Sequence, residues 1–250
     1  MSLNNHLLYT IGCSDSCRYA SFLLGKNGFA LTDHPSPEVS HLLLDVPSFD
    51  ASGALRDGTD LKELLRMLPK SISIIGGNLH QSYLQDYRKI DLLQDPYYLS
   101  RNAAITAECA LQVTAPYLKT TFAESPVLIL GWGRIGKCLS KLLADIGCPV
   151  TVAARNSRDR AMLEALGYKS ADFSQVPEIL NRHKVLLNTV PDLPLHIHDE
   201  SIIAIDLASY PGMRGDHVIQ ARGLPGKYAP ESSGKLIADT IQRMNQEGTL

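Results

Sequence analysis

The sequence lacks any long hydrophobic run, and no apolar stretch approaches the ~18 residues that a membrane-spanning helix needs. Its first six residues also lack the basic segment followed by an apolar one that a secretory leader carries. These two absences predict a protein that does not insert into a membrane and that works in the cytoplasm.

The chain has few cysteines, and they lack the spacing of a zinc or disulfide framework. Its five cysteines include no Cys-x-x-Cys pair. Cys13 and Cys17 fall one helical turn apart, where ordinary packing is a stronger interpretation than a redox pair. His196 and His198 follow two prolines without a further set of ligands, which favours a polar turn. The sequence therefore predicts no metal site.

Charge of one sign is not in excess either. Lysine and arginine together number 24, aspartate and glutamate 26, and the formal net charge is −2. Because the basic residues are also scattered, this balance disfavours nucleic acid as the main partner. With 250 residues, of which 44% are hydrophobic, the chain has room for two modest domains.

What the sequence does have is a glycine-rich turn in the setting of a dinucleotide site. An apolar strand over residues 125–130 runs into Gly131, Gly133 and Gly136, and a helix is predicted to about Ile146. The first glycine permits the tight turn, the second lets the backbone approach a pyrophosphate, and the third lets the helix pack on its strand. The free N–H groups and positive dipole end of that helix then face the phosphates. The predicted cofactor contacts are Gly131, Trp132, Gly133, Arg134, Ile135 and Gly136.

The end of the next predicted strand, residues 149–154, indicates which dinucleotide is bound. An NAD site commonly has Asp or Glu there, about 20 residues after the first glycine, to bind the ribose 2′-hydroxyl. No carboxylate occurs before Asp159, whereas two arginines offer charge and a fork of donors for a 2′-phosphate. NADP(H) is therefore favoured over NAD(H), with solvated loop arginines as the alternative. The predicted contacts are Arg155, Asn156, Ser157 and Arg158.

The order of apolar and helical segments predicts an α/β protein of two domains. Residues 1–101 alternate short apolar runs with helical ones, which is typical of a small flavodoxin-like parallel α/β domain. Residues 102–250 are predicted to hold a linking helix, residues 102–122, and a doubly wound Rossmann domain that binds the dinucleotide. A final helix, residues 231–246, is assigned to this second domain. The donors at its start are Ser232, Ser233 and Gly234.

The first predicted strand also ends in a glycine followed by residues that cap helices. Gly12, Ser14, Asp15 and Ser16 follow this strand and precede a predicted helix. These residues could hold a second anion, but a helix N-cap is the stronger interpretation.

Two later predicted strands, residues 185–188 and 202–205, end in segments suited to a ligand. Ligands of open parallel sheets bind beyond the carboxyl ends of the strands, so residues 188–191 and 206–212 are expected to face the nicotinamide and the substrate. The cofactor contacts predicted from them are Thr189, Val190 and Pro191.

Several of these segments, taken together, resemble the family of the dipicolinate synthase A subunit. The resemblance covers residues 102–250, and the amino-terminal domain matches only in its α/β pattern. The glycine motif is shared by many dehydrogenases, whereas its combination with Asp-Leu-Ala-Ser at 206–209 and Gly-Leu-Pro-Gly at 223–226 is more specific. The segments that carry the resemblance are 102–108, 131–136, 154–157, 188–191, 206–212, 223–226 and Ala229 with Pro230.

The resemblance implies a sporulation enzyme that oxidises a dihydrodipicolinate-type heterocycle, or its hydroxylated tetrahydro precursor, to pyridine-2,6-dicarboxylate. It also implies NADP+ as the hydride acceptor and, as a partner, the flavoprotein-like B subunit of dipicolinate synthase. A homo-oligomer is left open.

Few residues near these motifs can do the acid–base chemistry of such a reaction. Aromatisation needs a positioned nicotinamide and the loss of a ring proton, for which Glu108 is the candidate base. Thr106 and Ser209 are candidate hydrogen-bond partners, and Arg214 is a candidate carboxylate clamp. A solvated helix residue, a turn residue and a surface charge are the alternatives for Glu108, Ser209 and Arg214.

Two other functions stay open at this point. A D-2-hydroxyacid dehydrogenase has the same two-domain layout, but its chemistry needs a histidine acid/base, and His217 is the remaining candidate after His198. A non-catalytic NADP(H)-binding sensor or scaffold is the interpretation if the pocket lacks a base.

Overall fold

A computed structural model of the protein describes residues 6–250, which form two compact units. The first unit holds residues 6–102 together with Ala229–Leu250, and the second holds Ala103–Tyr228. Both are built on parallel sheets, so the predicted α/β class is confirmed. In the described part of the chain, no helix is long and apolar enough to cross a membrane.

The first unit has a five-stranded parallel sheet in the order β2-β1-β3-β4-β5, which is the flavodoxin-like order. Its strands are β1 (Leu7–Thr10), β2 (Ala30–Thr32), β3 (His41–Leu43), β4 (Ser73–Gly76) and β5 (Arg88–Asp91). Its first helices are α1 (Asp15–Lys26), α2 (Leu61–Leu64) and α3 (Pro96–Thr114), and α3 continues into the second unit. Two of the three inner strands, β3 and β4, are buried along their whole length, as parallel strands covered on both faces should be.

The linking helix α3 begins and ends earlier than the pattern predicts. The Asp95 carboxylate accepts a hydrogen bond from the backbone N–H of Tyr98 at 2.7 Å, and Pro96 takes the first helical position, where its missing N–H is tolerated. The helix ends at Thr114 because Pro116 cannot continue it, and a short 3-10 turn follows. The predicted helix over residues 102–122 is present, but both of its predicted ends are wrong.

The second unit has a six-stranded parallel sheet in the order β13-β11-β9-β6-β7-β8. Its strands are β6 (Val127–Leu130), β7 (Val150–Ala153), β8 (Lys169–Ala171), β9 (Val185–Asn188), β11 (Ile203–Asp206) and β13 (Ile219–Gln220). A separate short pair is formed by β10 (Leu195–His196) and β12 (Met213–Arg214). The helices are α4 (Arg134–Asp145), α5 (Ser157–Ala165), α6 (Val176–Ile179) and α7 (Leu224–Tyr228). This is the doubly wound order, with its switch point between the buried strands β6 and β9.

The last helix, α8 (Pro230–Gln246), belongs to the first unit, whereas the sequence pattern assigns it to the second domain with the rest of 102–250. The helix packs very closely along α1. A Cβ on Gly234 would lie only 2.4 Å from the carbonyl oxygen of Ser16, so this approach requires glycine. Ser233 is buried on the same helix. Gly234 therefore serves helix packing within the first unit and is not a donor at a helix start.

Candidate functional site

The turn between β6 and α4 has the geometry that its three glycines predict. Gly131 has a φ of +93°, which favours glycine, and a Cβ there would lie 2.6 Å from Val190 Cγ2. A Cβ on Gly136 would lie 2.2 Å from the carbonyl oxygen of Gly131, so α4 can approach the turn only with glycine at this position. A Cβ on Gly133, in contrast, would meet no described atom within 4 Å. The outer glycines shape the turn, and the middle one leaves its surface open.

The amino terminus of α4 is available to an anion. Gly133 is its N-cap residue and supplies no side-chain hydrogen bond, and the first turn contains no acidic residue. Unsatisfied backbone N–H groups and the positive end of the helix dipole favour a negative group here. Arg134, exposed at the first helical position, adds a positive charge. The pyrophosphate of a dinucleotide fits this combination of donors, charge and open backbone.

Trp132 lies in this turn with a polar atom that has no partner among residues 6–250. Its indole Nε1 is buried and unpaired, although buried indole N–H groups normally find an acceptor. Lys137 Nζ lies 4.8 Å from the centroid of the Trp132 ring, a cation–π contact that the sequence pattern did not indicate. A ligand oxygen beside the turn would satisfy the indole N–H. Ile135 is half-buried in the first turn of α4.

The loop after β7 presents its arginines to solvent, as the 2′-phosphate interpretation requires. Arg155, Ser157 and Arg158 are all exposed, and the guanidinium carbon of Arg155 lies 5.4 Å from the centroid of the Phe173 ring. The Oδ1 atom of Asn156 accepts a hydrogen bond from the backbone N–H of Arg158 at 2.8 Å. Asn156 therefore caps α5, so this side-chain oxygen is already used within the fold.

Arg160 shapes the same loop, although nothing in the sequence pattern singles it out. Its Nη1 donates to the carbonyl oxygens of Ala154 and Arg155, both at 2.8 Å, and lies 2.6 Å from Asp172 Oδ2. Hydrogen bonds from Ser174, with a smaller contribution from the Arg160 charge, hold the pKa of Asp172 below its ordinary value. Arg160 looks like another helical arginine in the sequence, and only the fold shows that it fixes the loop that carries Arg155.

The buried carboxylate of Asp206 holds the two loops on the other side of the switch point. Its Oδ1 accepts from Asn188 Nδ2 at 2.8 Å, and its Oδ2 accepts from the backbone N–H groups of Gly212 at 2.7 Å and Met213 at 3.0 Å. A Cβ on Gly212 would lie 2.2 Å from the carbonyl oxygen of Val190, so only glycine allows this approach. The carboxylate and the amide therefore serve the architecture of the site rather than its chemistry.

The segment after β9 lies directly against the glycine turn. Thr189 donates its hydroxyl to the carbonyl oxygen of Leu130 at 2.8 Å, so that hydroxyl is engaged within the fold. Val190 packs where a side chain on Gly131 would otherwise lie, and Pro191 is exposed beyond it. Of the predicted contacts in this segment, Pro191 alone is exposed.

Arg214 and His196 lie side by side, which the sequence pattern does not predict. The strands β10 and β12 pair in parallel with His196 opposite Arg214, and both residues are exposed. Together with Asp192 they line a cavity of about 320 Å³. Ser209 is also exposed but is not part of the lining of this cavity. The structure thus places the candidate carboxylate clamp, Arg214, beside the imidazole ring of His196.

The histidines of this region contact each other instead of converging with further ligands. The rings of His196 and His198 stack with centroids 5.8 Å apart. Within residues 6–250, no group of three or more His, Cys, Asp or Glu side chains is placed to hold a metal ion.

The predicted pair on α3 does not face one site. Thr106 is buried and Glu108 is exposed, both on the part of α3 that belongs to the second unit. Residues two positions apart on a helix point to nearly opposite sides. The sequence placed both near the substrate, but the geometry lets only one of them point into a given pocket.

The part of the chain that holds these motifs matches a known family. Residues 100–200 match the NAD binding domain of the D-isomer specific 2-hydroxyacid dehydrogenases. This range includes the glycine turn, the loop with Arg155 and the segment after β9. This match supports a nicotinamide dinucleotide as the cofactor class of the second unit, and an oxidoreductase as its class of activity.

The chain is also similar to the A subunit of dipicolinate synthase, as its motifs indicate. The protein of that name from Bacillus subtilis (strain 168) is 26% identical over 159 residues, which are 58% of this chain and 54% of that protein. The alignment thus spans about half the length of the relative.

Two solved structures extend this likeness in fold. The dipicolinate synthase A subunit from Bacillus halodurans superposes with a TM-score of 0.83 at 20% identity, covering 98% of this chain and 99% of that one. Its counterpart from Bacillus subtilis gives a TM-score of 0.81 at 19% identity, with coverage of 98% and 97%. At these identities the structures show a shared fold, and the predicted resemblance is confirmed.

Proposed function

We propose that this chain is an NADP(H)-dependent oxidoreductase that oxidises a dihydrodipicolinate-type heterocycle to dipicolinate. The observation that carries the proposal is the open backbone at Gly133 beside the uncapped end of α4. This geometry supports phosphate binding at the turn, in a chain whose motifs and fold resemble the A subunit of dipicolinate synthase. The open turn supports the binding of a dinucleotide, and the resemblance supports a dihydrodipicolinate-type substrate.

The choice of NADP(H) over NAD(H) is supported by the charges after β7. Arg155, Ser157 and Arg158 are exposed there, and no carboxylate ends the strand. Arg160 is bound to the backbone of its own loop, so it positions Arg155 rather than competing for the phosphate. A carboxylate at position 155 would repel a 2′-phosphate, so Arg155→Glu should reverse or abolish the preference for NADPH.

The proposed oxidation requires the protein to hold the heterocyclic ring, to remove a proton from it and to exclude competing ligands. The bound nicotinamide supplies the acceptor for the hydride. Arg214 is proposed to hold a ring carboxylate, Ser209 to donate a hydrogen bond to it, and Glu108 to take the ring proton. Thr106 is buried, so we assign it to supporting α3 rather than to contact with the substrate.

One observation favours a second candidate function, a D-2-hydroxyacid dehydrogenase. That chemistry needs a histidine to exchange a proton and an arginine to hold the substrate carboxylate. His196 and Arg214 line one cavity on the side of β9 and β11, where the nicotinamide of a doubly wound domain is expected. NADPH-dependent reduction of simple 2-keto acids, lost in His196→Gln, would favour this function.

The experiment that tests the proposed function mixes the purified chain, NADP+ and freshly generated dihydrodipicolinate, with and without a flavoprotein-like B subunit. We expect pyridine dicarboxylate absorbance to rise only when both proteins are present, because the chain offers few acid–base groups of its own. Full activity of the chain alone would remove the obligatory partner from the proposal. Absence of product with both proteins, together with reduction of 2-keto acids, would replace the proposed function by the second candidate.

A matched pair of variants tests the substrate clamp. Arg214→Ala should raise the apparent substrate constant while NADPH affinity stays nearly unchanged. Arg66→Ala, which removes an exposed arginine of the first unit, serves as the control and should change neither. Equal losses of substrate and cofactor affinity in Arg214→Ala would mean that Arg214 supports the fold instead.

A further inference from the structure

A cavity of about 540 Å³ lies in the second unit, away from the glycine turn. Its lining includes Pro126, Pro149 and His183, which stand just before β6, β7 and β9, and Lys169, which begins β8. All of these mark the amino-terminal ends of strands, whereas the glycine turn follows the carboxyl end of β6. Each strand residue adds about 3.3 Å, so the four residues of β6 separate the two places by roughly 13 Å.

Two cationic side chains at this cavity have no acidic partner in the described part of the chain. Lys169 and Arg182 both line the cavity and are exposed, and neither forms an ion pair there. Glu164 is the one carboxylate in the lining, and its Oε1 accepts a hydrogen bond from the Ser170 hydroxyl at 2.8 Å. The lining therefore carries a net positive charge.

The pKa of His183 is sensitive to that positive charge. Its Nδ1 donates to the carbonyl oxygen of Ile179 at 2.9 Å, which leaves Nε2 to accept from the Thr151 hydroxyl at 3.0 Å. Burial is the main cause that lowers the pKa of His183, and the charges of Lys169 and Arg182 lower it further, whereas the hydrogen bond to Ile179 raises it. The ring is thus held neutral and fixed in orientation beside two cations that face the same space.

We propose that this cavity binds a small organic anion, with its carboxylate or phosphate held by Lys169 and Arg182. The apolar body of the ligand would lie against Tyr168, Ile179 and the two prolines that line the cavity. The volume falls within the range of roughly 300 to 1,000 Å³ found for small-molecule sites. Arginine and lysine are the side chains that proteins use for carboxylates and phosphates. The site is independent of the proposed reaction.

Binding of an anion and protonation of His183 should help each other. A negative charge near Lys169 and Arg182 offsets their repulsion of the imidazolium, so the bound anion raises the pKa of His183. By linkage, the anion binds more tightly as the pH falls. The charged or titratable groups that line the cavity with His183 are Glu164, Tyr168, Lys169 and Arg182.

The test follows the ring signals of His183 by NMR, assigned with His183→Gln, while phenyl phosphate or benzoate is added to the full chain. We expect saturation to raise the His183 pKa towards its ordinary value. The double variant Lys169→Ala/Arg182→Ala should weaken binding at least tenfold, and the Arg66→Ala control should leave it unchanged. Glu164→Gln should strengthen binding several-fold, which a merely structural effect of the variant would not do.

The outcomes separate the ligand sources and the alternatives. Tighter binding of phenyl phosphate assigns a phosphate to the site, and tighter binding of benzoate assigns a carboxylate. No shift with either anion at millimolar concentration would overturn the proposal, as would an equal response to neutral benzyl alcohol. Competition between phenyl phosphate and NADPH would also overturn it, because the anion would then occupy the dinucleotide site.

Discussion

Two turns of this chain join the first strand of a parallel sheet to the helix that follows, and they treat the helix end in opposite ways. In the first unit, Ser14 Oγ caps α1 by accepting from the backbone N–H of Cys17 at 3.2 Å. The Asp45 carboxylate accepts from the backbone N–H groups of Cys13 at 3.0 Å and Ser14 at 3.1 Å. In the second unit, α4 has no side-chain cap and Gly133 leaves the surface open.

This contrast shows that a glycine after a strand does not make an anion site by itself. In the first unit, a Cβ on Gly12 would lie 2.2 Å from Cys17 Sγ, so this glycine allows the helix to pack. The donors beyond it are taken by the chain's own carboxylate, and the predicted N-cap is confirmed. In the second unit the corresponding donors have no side-chain cap, because no acidic side chain takes the place of Asp45.

The largest expected effect comes from Gly136→Ala. The added Cβ would collide with the backbone carbonyl of Gly131, which has no flexible end that can move aside. We expect a loss of roughly 3 kcal/mol in the free energy of unfolding, near the upper range for overpacked cores, together with loss of NADPH binding. Urea unfolding followed by Trp132 fluorescence and an NADPH titration measure the two.

Gly133→Ala is the matched control for that variant. Its Cβ would meet no atom of residues 6–250 within 4 Å, and its φ of −76° suits alanine, so stability should stay within about 0.5 kcal/mol of the original chain. NADPH binding should nevertheless be lost, because the methyl group occupies the surface that the pyrophosphate approaches. If Gly133→Ala binds NADPH normally, the open surface is not the phosphate site.

A second effect should appear in the first unit as the pH falls. Burial, and then the charges of His6 and Arg88, lower the pKa of His41 to about 4 from 6.5. The unfolded chain therefore takes up this proton first, and stability present above pH 6.5 is lost as the pH falls towards 4. The loss should reach roughly 2 to 3 kcal/mol.

His41→Gln isolates this contribution. His183 titrates in the same direction, so the original chain loses stability from both units and the variant loses it mainly from the second. Urea midpoints measured between about pH 4 and pH 7 should give a shallower slope for the variant. Equal slopes would show that His41 is not held neutral by the fold.

A smaller effect is expected from Asp45→Asn, which makes the first turn more like the second. The amide retains one acceptor and loses the charge, so the unfolding free energy should fall by about 1 to 2 kcal/mol. Burial, and then the Asp45 charge, raise the pKa of the Cys13 thiol, so the variant should also alkylate faster at Cys13. An unchanged alkylation rate, read by peptide mapping, would show that the carboxylate does not act on this thiol.

The sequence predicts the second unit well where its inner strands are continuous apolar runs, and it does not predict the short outer strands β8 and β13. Both β6 and β9 are fully buried, and their ends carry the motifs that were placed there. The edge strands β2 and β5 are largely exposed, and β5 contains polar residues such as Arg88 and Lys89. Neither strand is therefore predicted by an apolar run in the sequence.

Contacts between distant segments are what the sequence could not predict. The membership of α8 in the first unit depends on its packing against α1, where Gly234 meets Ser16. The pairing of His196 with Arg214 depends on the register of two short strands, and neither has a hydrophobic pattern. Arg160 gains its role only once Ala154 and Arg155 turn their carbonyl oxygens towards it.

One titration decides whether a dinucleotide with a 2′-phosphate binds at the glycine turn, because the chain has a single tryptophan and that residue lies in the turn. NADPH and NADH are each added to the original chain and to Arg155→Glu, and Trp132 fluorescence is followed. We predict quenching by both cofactors, with NADPH bound more tightly by about 1 to 3 kcal/mol and the preference lost or reversed in the variant. Equal affinities in the original chain would contradict the 2′-phosphate site, and absence of quenching by either cofactor would contradict a dinucleotide bound at this turn.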